Sequence, residues 1–164
     1  MFVRPKMEFA VAAWSPWLEK DAEIMEKVQQ RALRAMSDVR GKSYEERLKE
    51  TGLTSLRERR IRGDLIEVFK VIKGYNNIYR NDWFDLQSRE ESRATRTNTR
   101  IEDGEEIKRE DVMYEPRSNK EIRANFFTIR TVRLWNELPD EVKGAKSVTG
   151  FKIQYDRHMK RSNE

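Results

Sequence analysis

Apolar residues recur at helical spacing along most of the chain. Met7, Ala10, Val11 and Trp14 stand at i, i+3, i+4 and i+7 behind Pro5, a favoured first helical position. Ser15-Pro16 should stop this first helix, because a proline bars the residue before it from helical geometry. A second helix is predicted from Asp21, a fair N-cap, to Met36. Its expected buried face is Ile24, Met25, Val28, Ala32, Ala35 and Met36, and Lys20, Lys27, Arg31 and Arg34 share another face within about 60°. Ser43 and Glu46 have the spacing of a capping box for YEERLKE, and Gly52 suits its left-handed end.

Thr54 is expected to cap a longer helix, SLRERRIRGDLIEVFKVIK, that buries Ile61, Leu65, Val68, Phe69 and Ile72 and ends at Gly74. Gly63 falls on its opposite face, between Arg59, Arg60 and Lys70. From Tyr75 to Ile122 the periodicity fades. Trp83, Phe84 and Leu86 can pin a short turn to the core, and Asp103-Gly104 between Ile101 and Ile107 predicts a short hairpin near 100–108. NKEIRANFFTIRTVRLWNELPDEV reads as one apolar helix with Ile122, Phe126, Ile129, Val132, Leu134 and Trp135, closed by Pro139 and Asp140. Ser147 should cap a last helix with Val148, Phe151, Tyr155 and Met159 on one side. The expected fold is mainly α, with about six amphipathic helices and an irregular middle. Residues 1–75 form a first helical region, 76–121 an irregular segment, and 122–164 a helical region packing on the first.

Composition narrows the classes. Leu, Ile, Val and Phe make up about 22% of the 164 residues, just above the level of about 20% at which disorder becomes the default. Four Trp, five Tyr and seven Phe argue for a folded core. The net charge of +5 is a basic bias on a mixed surface, which tolerates an anionic partner without demanding one. With no cysteine and only His158, neither a disulfide framework nor a Cys- or His-rich metal site is expected. No apolar run approaches the length that spans a bilayer, and MFVRPKMEF lacks a secretory pattern, so an intracellular protein of cytoplasm or nucleus, without membrane partners, is expected.

Few motifs suggest chemistry. Gly41-Lys42-Ser43 copies the end of a P-loop, but Met36 stands where the first glycine belongs, so it reads as helix punctuation. The run Glu102, Asp103, Glu105 and Glu106 reads as a solvated turn rather than a cation site. His158 has no acid or nucleophile at a useful spacing. Lys20, Lys27, Arg31 and Arg34 can follow a phosphate backbone, or can be a solvated face partly paired with Glu23. Arg89, Arg93, Arg96 and Arg100, among Thr and Asn, suit phosphate contacts or a polar loop equally.

The order of segments carries more. RPKMEFAVAAWSPWLEKD, MEKVQQRALRAM, SYEERLKETGLTSLRERRIRGDLIEVFKVIKG, NFFTIRTVRLWNELPDEV and SVTGFK together resemble the C-terminal part of reverse transcriptases of non-LTR, LINE-type retrotransposons, closest to jockey-like elements. The resemblance covers nearly the whole chain. It implies thumb-like helices that hold a template–primer duplex, and a region beyond them. The family's catalytic palm, with its paired aspartates, lies upstream, and this chain has no Asp-Asp dipeptide. Since polymerase chemistry needs carboxylate-held metal ions, the resemblance implies an isolated chain without catalytic residues or cofactors. It also accounts for the uncapped start at Met1 to Arg4, as a chain that begins at or after the end of the palm. Family members often carry Thr-Arg-Gly-His in the irregular middle, where this chain has SRATRTNTR, so that stretch's binding role does not carry over.

The expected function is a sequence-tolerant nucleic-acid-binding remnant that takes a template–primer duplex or RNA. The phosphate-contacting residues are expected to be Lys27, Arg31 and Arg34, then Arg59 and Arg60, then Arg93, Arg96 and Arg100. The alternatives are a protein-interaction module and a relic without function. For the former, Phe2, Met7, Phe9, Val11, Trp14 and Trp17 would offer an apolar surface for self-association or a palm-like partner.

Overall fold

The computed structural model describes residues 8–86, 99–102, 105–108 and 112–162. The fold is mainly α. The chain divides into two compact units, Met1–Asp64 and Leu65–Glu164.

In the first unit, α1 (Val11–Trp14) is a single turn. Ala10 takes a left-handed conformation at φ 51°, so the helix does not run on from Pro5 as the stripe predicted. Ser15 turns extended ahead of Pro16, as expected. The second helix, α2 (Glu19–Arg34), starts before Asp21, with Leu18 at its N-cap and no side-chain cap. A single 3-10 turn, Ser37–Val39, leads to α3 (Tyr44–Thr51). The capping box at α3 forms as expected: the Glu46 amide donates to Ser43 Oγ at 3.2 Å and the Ser43 amide to Glu46 Oε2 at 2.7 Å. The bond from the Ser43 amide, and after it the Ser43 hydroxyl, favours the carboxylate and holds Glu46 below the ordinary carboxylate range. Gly52 ends α3 at φ 63°.

The rotation of α2 departs from the sequence expectation. Its buried residues are Gln29 and Leu33. Ile24 is 58% exposed, and Val28, Ala32, Ala35 and Met36 are exposed too. The inward face is instead tied by polar groups. Glu26 accepts from the backbone amide of Leu56 at 3.2 and 3.1 Å through its two oxygens, and from the Tyr44 hydroxyl. Gln29 Nε2 donates to the Tyr44 hydroxyl at 2.9 Å and to the Thr54 carbonyl at 3.2 Å. A helix start leaves amides without partners, and Glu26 meets one of them with a full negative charge. Leu33, Val39 and Leu56 supply the buried apolar residues around this seam.

The long helix α4 (Leu56–Ile72) starts one residue later than expected. Ser55, not Thr54, is its cap: Ser55 Oγ accepts from the Glu58 amide at 3.2 Å while the Ser55 amide donates to Glu58 at 3.1 Å. In the second unit, Leu65, Val68, Phe69 and Ile72 of this helix are buried, as its stripe predicted. Gly74, at φ 71°, ends it. A one-turn helix follows, α5 (Arg80–Trp83). Strands β1 (Thr99–Glu102) and β2 (Glu105–Lys108) then pair antiparallel, with Glu102 opposite Glu105, at the place where a hairpin was expected.

The predicted helix over NKEIRANFF breaks into α6 (Glu121–Ala124) and α7 (Phe127–Asn136). Phe126 turns extended at the break, and both it and Ile122 are exposed rather than buried. The inward face of α7 is Phe127, Thr131, Val132 and Trp135. A further turn, α8 (Asp140–Lys143), leads to α9 (Val148–Ser162). As expected, Ser147 caps α9, its Oγ accepting from the Gly150 amide at 3.0 Å, and Phe151 and Tyr155 face inward. The core centres on Phe151, whose ring stacks on Phe69 at 4.5 Å between centroids and lies 6.1 Å from Trp135 and 6.2 Å from Tyr155.

The polar seam of the first unit makes a direct prediction. Replacing Glu26 by Ala takes the carboxylate acceptor from the Leu56 amide and from the Tyr44 hydroxyl proton, and should cost about 2–3 kcal/mol. Replacing Ile24 by Ala should change stability by no more than about 0.5 kcal/mol, since its side chain stands in water. Urea denaturation of the two variants measures both. Equal costs would mean that α2 is rotated as the apolar pattern alone suggests.

Candidate nucleic-acid interface

The seam that anchors α2 faces one way, and the helix period sends its cations the other. Relative to Gln29 and Leu33, residues 20, 27, 31 and 34 come out on the far side of the helix. Lys20, Lys27, Arg31 and Arg34 are all exposed. Among the described residues none of the four forms an ion pair or a side-chain hydrogen bond, with Glu23 or with any other acid. From Lys20 to Arg34 the row runs about 21 Å along the axis at 1.5 Å per residue. Arg31 and Arg34 also close the last turn of the helix, where positive charge suits the dipole.

The other expected contacts divide. Arg59 is half-buried and held by Glu8 along one guanidinium edge, with Nε donating to Oε1 and Nη2 to Oε2, the latter at 2.6 Å. A bidentate pair of this kind already satisfies its fork, so Arg59 does not stand open to phosphate. Arg60 is 5% exposed and therefore does not offer a surface contact. Burial pushes its guanidinium down from the ordinary value, against the opposing charge of Glu26, and its Nη1 has no hydrogen-bond partner. The expectation for Arg60 fails because α4 turns that position inward, into the first unit. Arg93 and Arg96 lie outside the described residues, and Arg100 falls in β1.

Two features escaped the reading of the sequence. The first is an apolar strip beside the cations: Ile24, Val28 and Ala35 are exposed on the same side of α2. The second is in the second unit, where exposed aromatics line an open cleft. Among the described residues no group of three or more His, Asp or Glu is placed to hold a metal ion. No helix among them is long and apolar enough to cross a membrane.

Comparison with protein-family models, curated proteins and solved structures gives no match for this chain.

Burial of Arg60 can be told apart from a binding role. Replacing a buried, imperfectly paired charge by an apolar side chain of similar volume is often neutral or stabilising. Arg60→Met should leave the urea midpoint unchanged or raised, and should leave affinity for duplex DNA within about twofold. A large loss of affinity in a folded Arg60→Met protein would restore the residue to the interface.

Proposed function

We propose that this chain is a helical module that grips the sugar–phosphate backbone of nucleic acid with α2, without catalysis of its own. We further infer that it derives from the thumb and post-thumb part of a non-LTR reverse transcriptase. The observation that carries the binding reading is the row Lys20, Lys27, Arg31 and Arg34, four exposed cations on one face that form no ion pair among the described residues. Such a row can lie along a phosphate backbone and release its condensed counterions, which makes binding tolerant of sequence and sensitive to salt. The origin rests on the order of sequence blocks from RPKMEF to SVTGFK. Thumb-like helices of that family hold a template–primer duplex, so a duplex or hybrid is the first ligand to try.

If about four phosphates are contacted, the slope of log affinity against log salt on duplex DNA should be roughly −3 to −4. Reversing Lys27, Arg31 and Arg34 to Glu should lower affinity by about a hundredfold or more at low salt and flatten the slope toward zero. A fluorescence-anisotropy titration at several salt concentrations measures both. A flat salt dependence of the native protein, or intact affinity in the reversed variant, removes the reading.

A second reading has its own observation. Ile24 and Val28 on α2, with Phe9, Trp14 and Trp17 before it, are large apolar groups left in water. Exposed apolar groups of this size suit association with another protein surface, including a second copy of this chain. Light scattering should then show a concentration-dependent rise in mass that Ile24→Lys with Val28→Lys abolishes. A strict monomer at high concentration would leave the nucleic-acid reading alone.

A further inference from the structure

The second unit holds an open cleft of about 530 Å³ between α5, the segment around Tyr114, and the break before α7. Its size suits a few side chains of a ligand rather than the whole face of a helix. Four aromatic residues line it: the buried Phe84 and the exposed Trp83, Tyr114 and Phe126, the last exposed by 64%. Neighbouring contacts hold Trp83 and Tyr114 in place. The Tyr114 amide donates to the Asp85 carbonyl at 2.8 Å. Next to it, Asn136 clamps the backbone of Met113 on both sides, accepting from its amide at 3.0 Å and donating to its carbonyl at 2.9 Å. Trp83 meets Phe127 edge-on at 5.8 Å, and the buried Phe84 reaches the same ring at 6.1 Å.

The charge of the cleft runs against the basic bias of the chain. Asp82 and Asp85 line it, both exposed, with Arg123 as the cation among the lining residues. Among the described residues neither carboxylate has an ion pair or a side-chain hydrogen bond. Exposed aromatic walls with free carboxylates attract a ligand that is flat-sided, apolar and cationic. They repel phosphate, which argues against a nucleic-acid strand at this place.

We propose that this cleft docks an extended, proline-rich peptide segment that carries an arginine or lysine beside its prolines. Prolines in the polyproline II conformation present ring faces to aromatic grooves, and they lose little entropy on binding because the helix is already formed. The basic side chain lies along an aromatic ring and reaches Asp82 and Asp85, which sets the direction of the peptide in the groove. The site uses residues of the second unit alone and stands whether or not α2 binds nucleic acid.

The test uses the full chain and a fluorescein-labelled ten-residue peptide that repeats Arg-Pro-Pro-Leu-Pro, read by fluorescence polarisation. Saturable binding is expected, and the same peptide with Glu in place of Arg should bind at least about tenfold more weakly. Asp82→Asn with Asp85→Asn should weaken the arginine peptide about five- to tenfold and remove its salt dependence. Phe126→Ser should weaken it by about fivefold or more without unfolding the protein, because that ring stands in water. Trp83 also packs on Phe127, so Trp83→Ala is interpreted only if circular dichroism shows the native helix content. Absence of saturable binding, equal affinity for the Glu peptide, or full affinity in the double Asn variant would overturn the proposal. Displacement of the peptide by single-stranded RNA that itself saturates the double Asn variant would overturn it too, in favour of a nucleic-acid cleft.

Discussion

The carboxylate of Glu26 decides which way the first unit presents its chemistry. It takes the Leu56 amide at the start of α4 on two oxygens, at 3.2 and 3.1 Å, and takes the Tyr44 hydroxyl of α3 as well. Three helices therefore meet on one acid of α2. A hydrogen bond to a charged group contributes about 1.5–3 kcal/mol, more than burying one more methyl-rich side chain at a half-open surface. Gln29, one turn on, repeats the tie with Tyr44 and Thr54. Together they fix the rotation of α2 about its axis. Once that rotation is set, the helical period leaves Lys20, Lys27, Arg31 and Arg34 in water, and leaves Ile24 and Val28 beside them.

The same seam explains why the apolar pattern of α2 misleads. The helix carries two candidate inward stripes. One is Ile24, Val28 and Ala35, and the other is Ala22, Glu26, Gln29 and Leu33. A hydrophobicity count prefers the first. The structure turns the second inward, burying Gln29 and Leu33 and half-burying Ala22 and Glu26, because the start of α4 brings unpaired amides and the Thr54 carbonyl to that side, and buried polar groups demand partners more strongly than exposed apolar groups demand cover. The demand comes from another helix, so it cannot be seen within the window of α2 itself. Arg60 shows the converse. It looks like one more cation on an Arg-rich helix, yet α4 turns it inward, where its charge answers Glu26 and its Nη1 is left without a hydrogen bond.

What was legible in the sequence was local. The capping box at Ser43 and Glu46, the glycine ends of α3 and α4, the cap at Ser147, the inward face of α9 and the hairpin at 99–108 all depend on residues within one turn of each other. The buried stripe of α4 was legible as well, because Leu65, Val68, Phe69 and Ile72 repeat the period, although Ile61 at its start is only half-buried and Ile66 and Val71 beside the stripe are buried too. Two further errors lie where adjacent large residues compete for one side. In Trp83-Phe84 and in Phe126-Phe127 both rings are apolar, but neighbouring positions on an element point about 100° apart, so one ring must leave the core. Phe84 and Phe127 go in, and Trp83 and Phe126 stay out. The continuous helix expected there would have turned Phe126 inward, but the chain breaks at Phe126 and Phe127 is the ring that is buried. Such aromatic doublets are thus a usable signal for a surface site, though they do not tell which partner of the pair is inside.

The two candidate surfaces carry local charge of opposite sign. The outer row of α2 offers guanidinium and ammonium groups. The cleft of the second unit offers aromatic rings with Asp82 and Asp85, which have no ion pair among the described residues, beside a single cation, Arg123. A net charge of +5 averages over both and hides the contrast. Electrostatic attraction between exposed groups fades beyond a screening length of about 8 Å at physiological salt, so each surface recruits ligand by its own local charge rather than by the total. Phosphate should find α2 and a basic peptide should find the cleft, even on one molecule. The strength of each contact then depends on rigidity, because ordering long side chains on binding offsets much of an exposed ion pair. The cleft has the advantage here. Trp83 is seated on Phe127 and Tyr114 follows a clamped backbone, whereas the lysines and arginines of α2 must be ordered by the ligand itself.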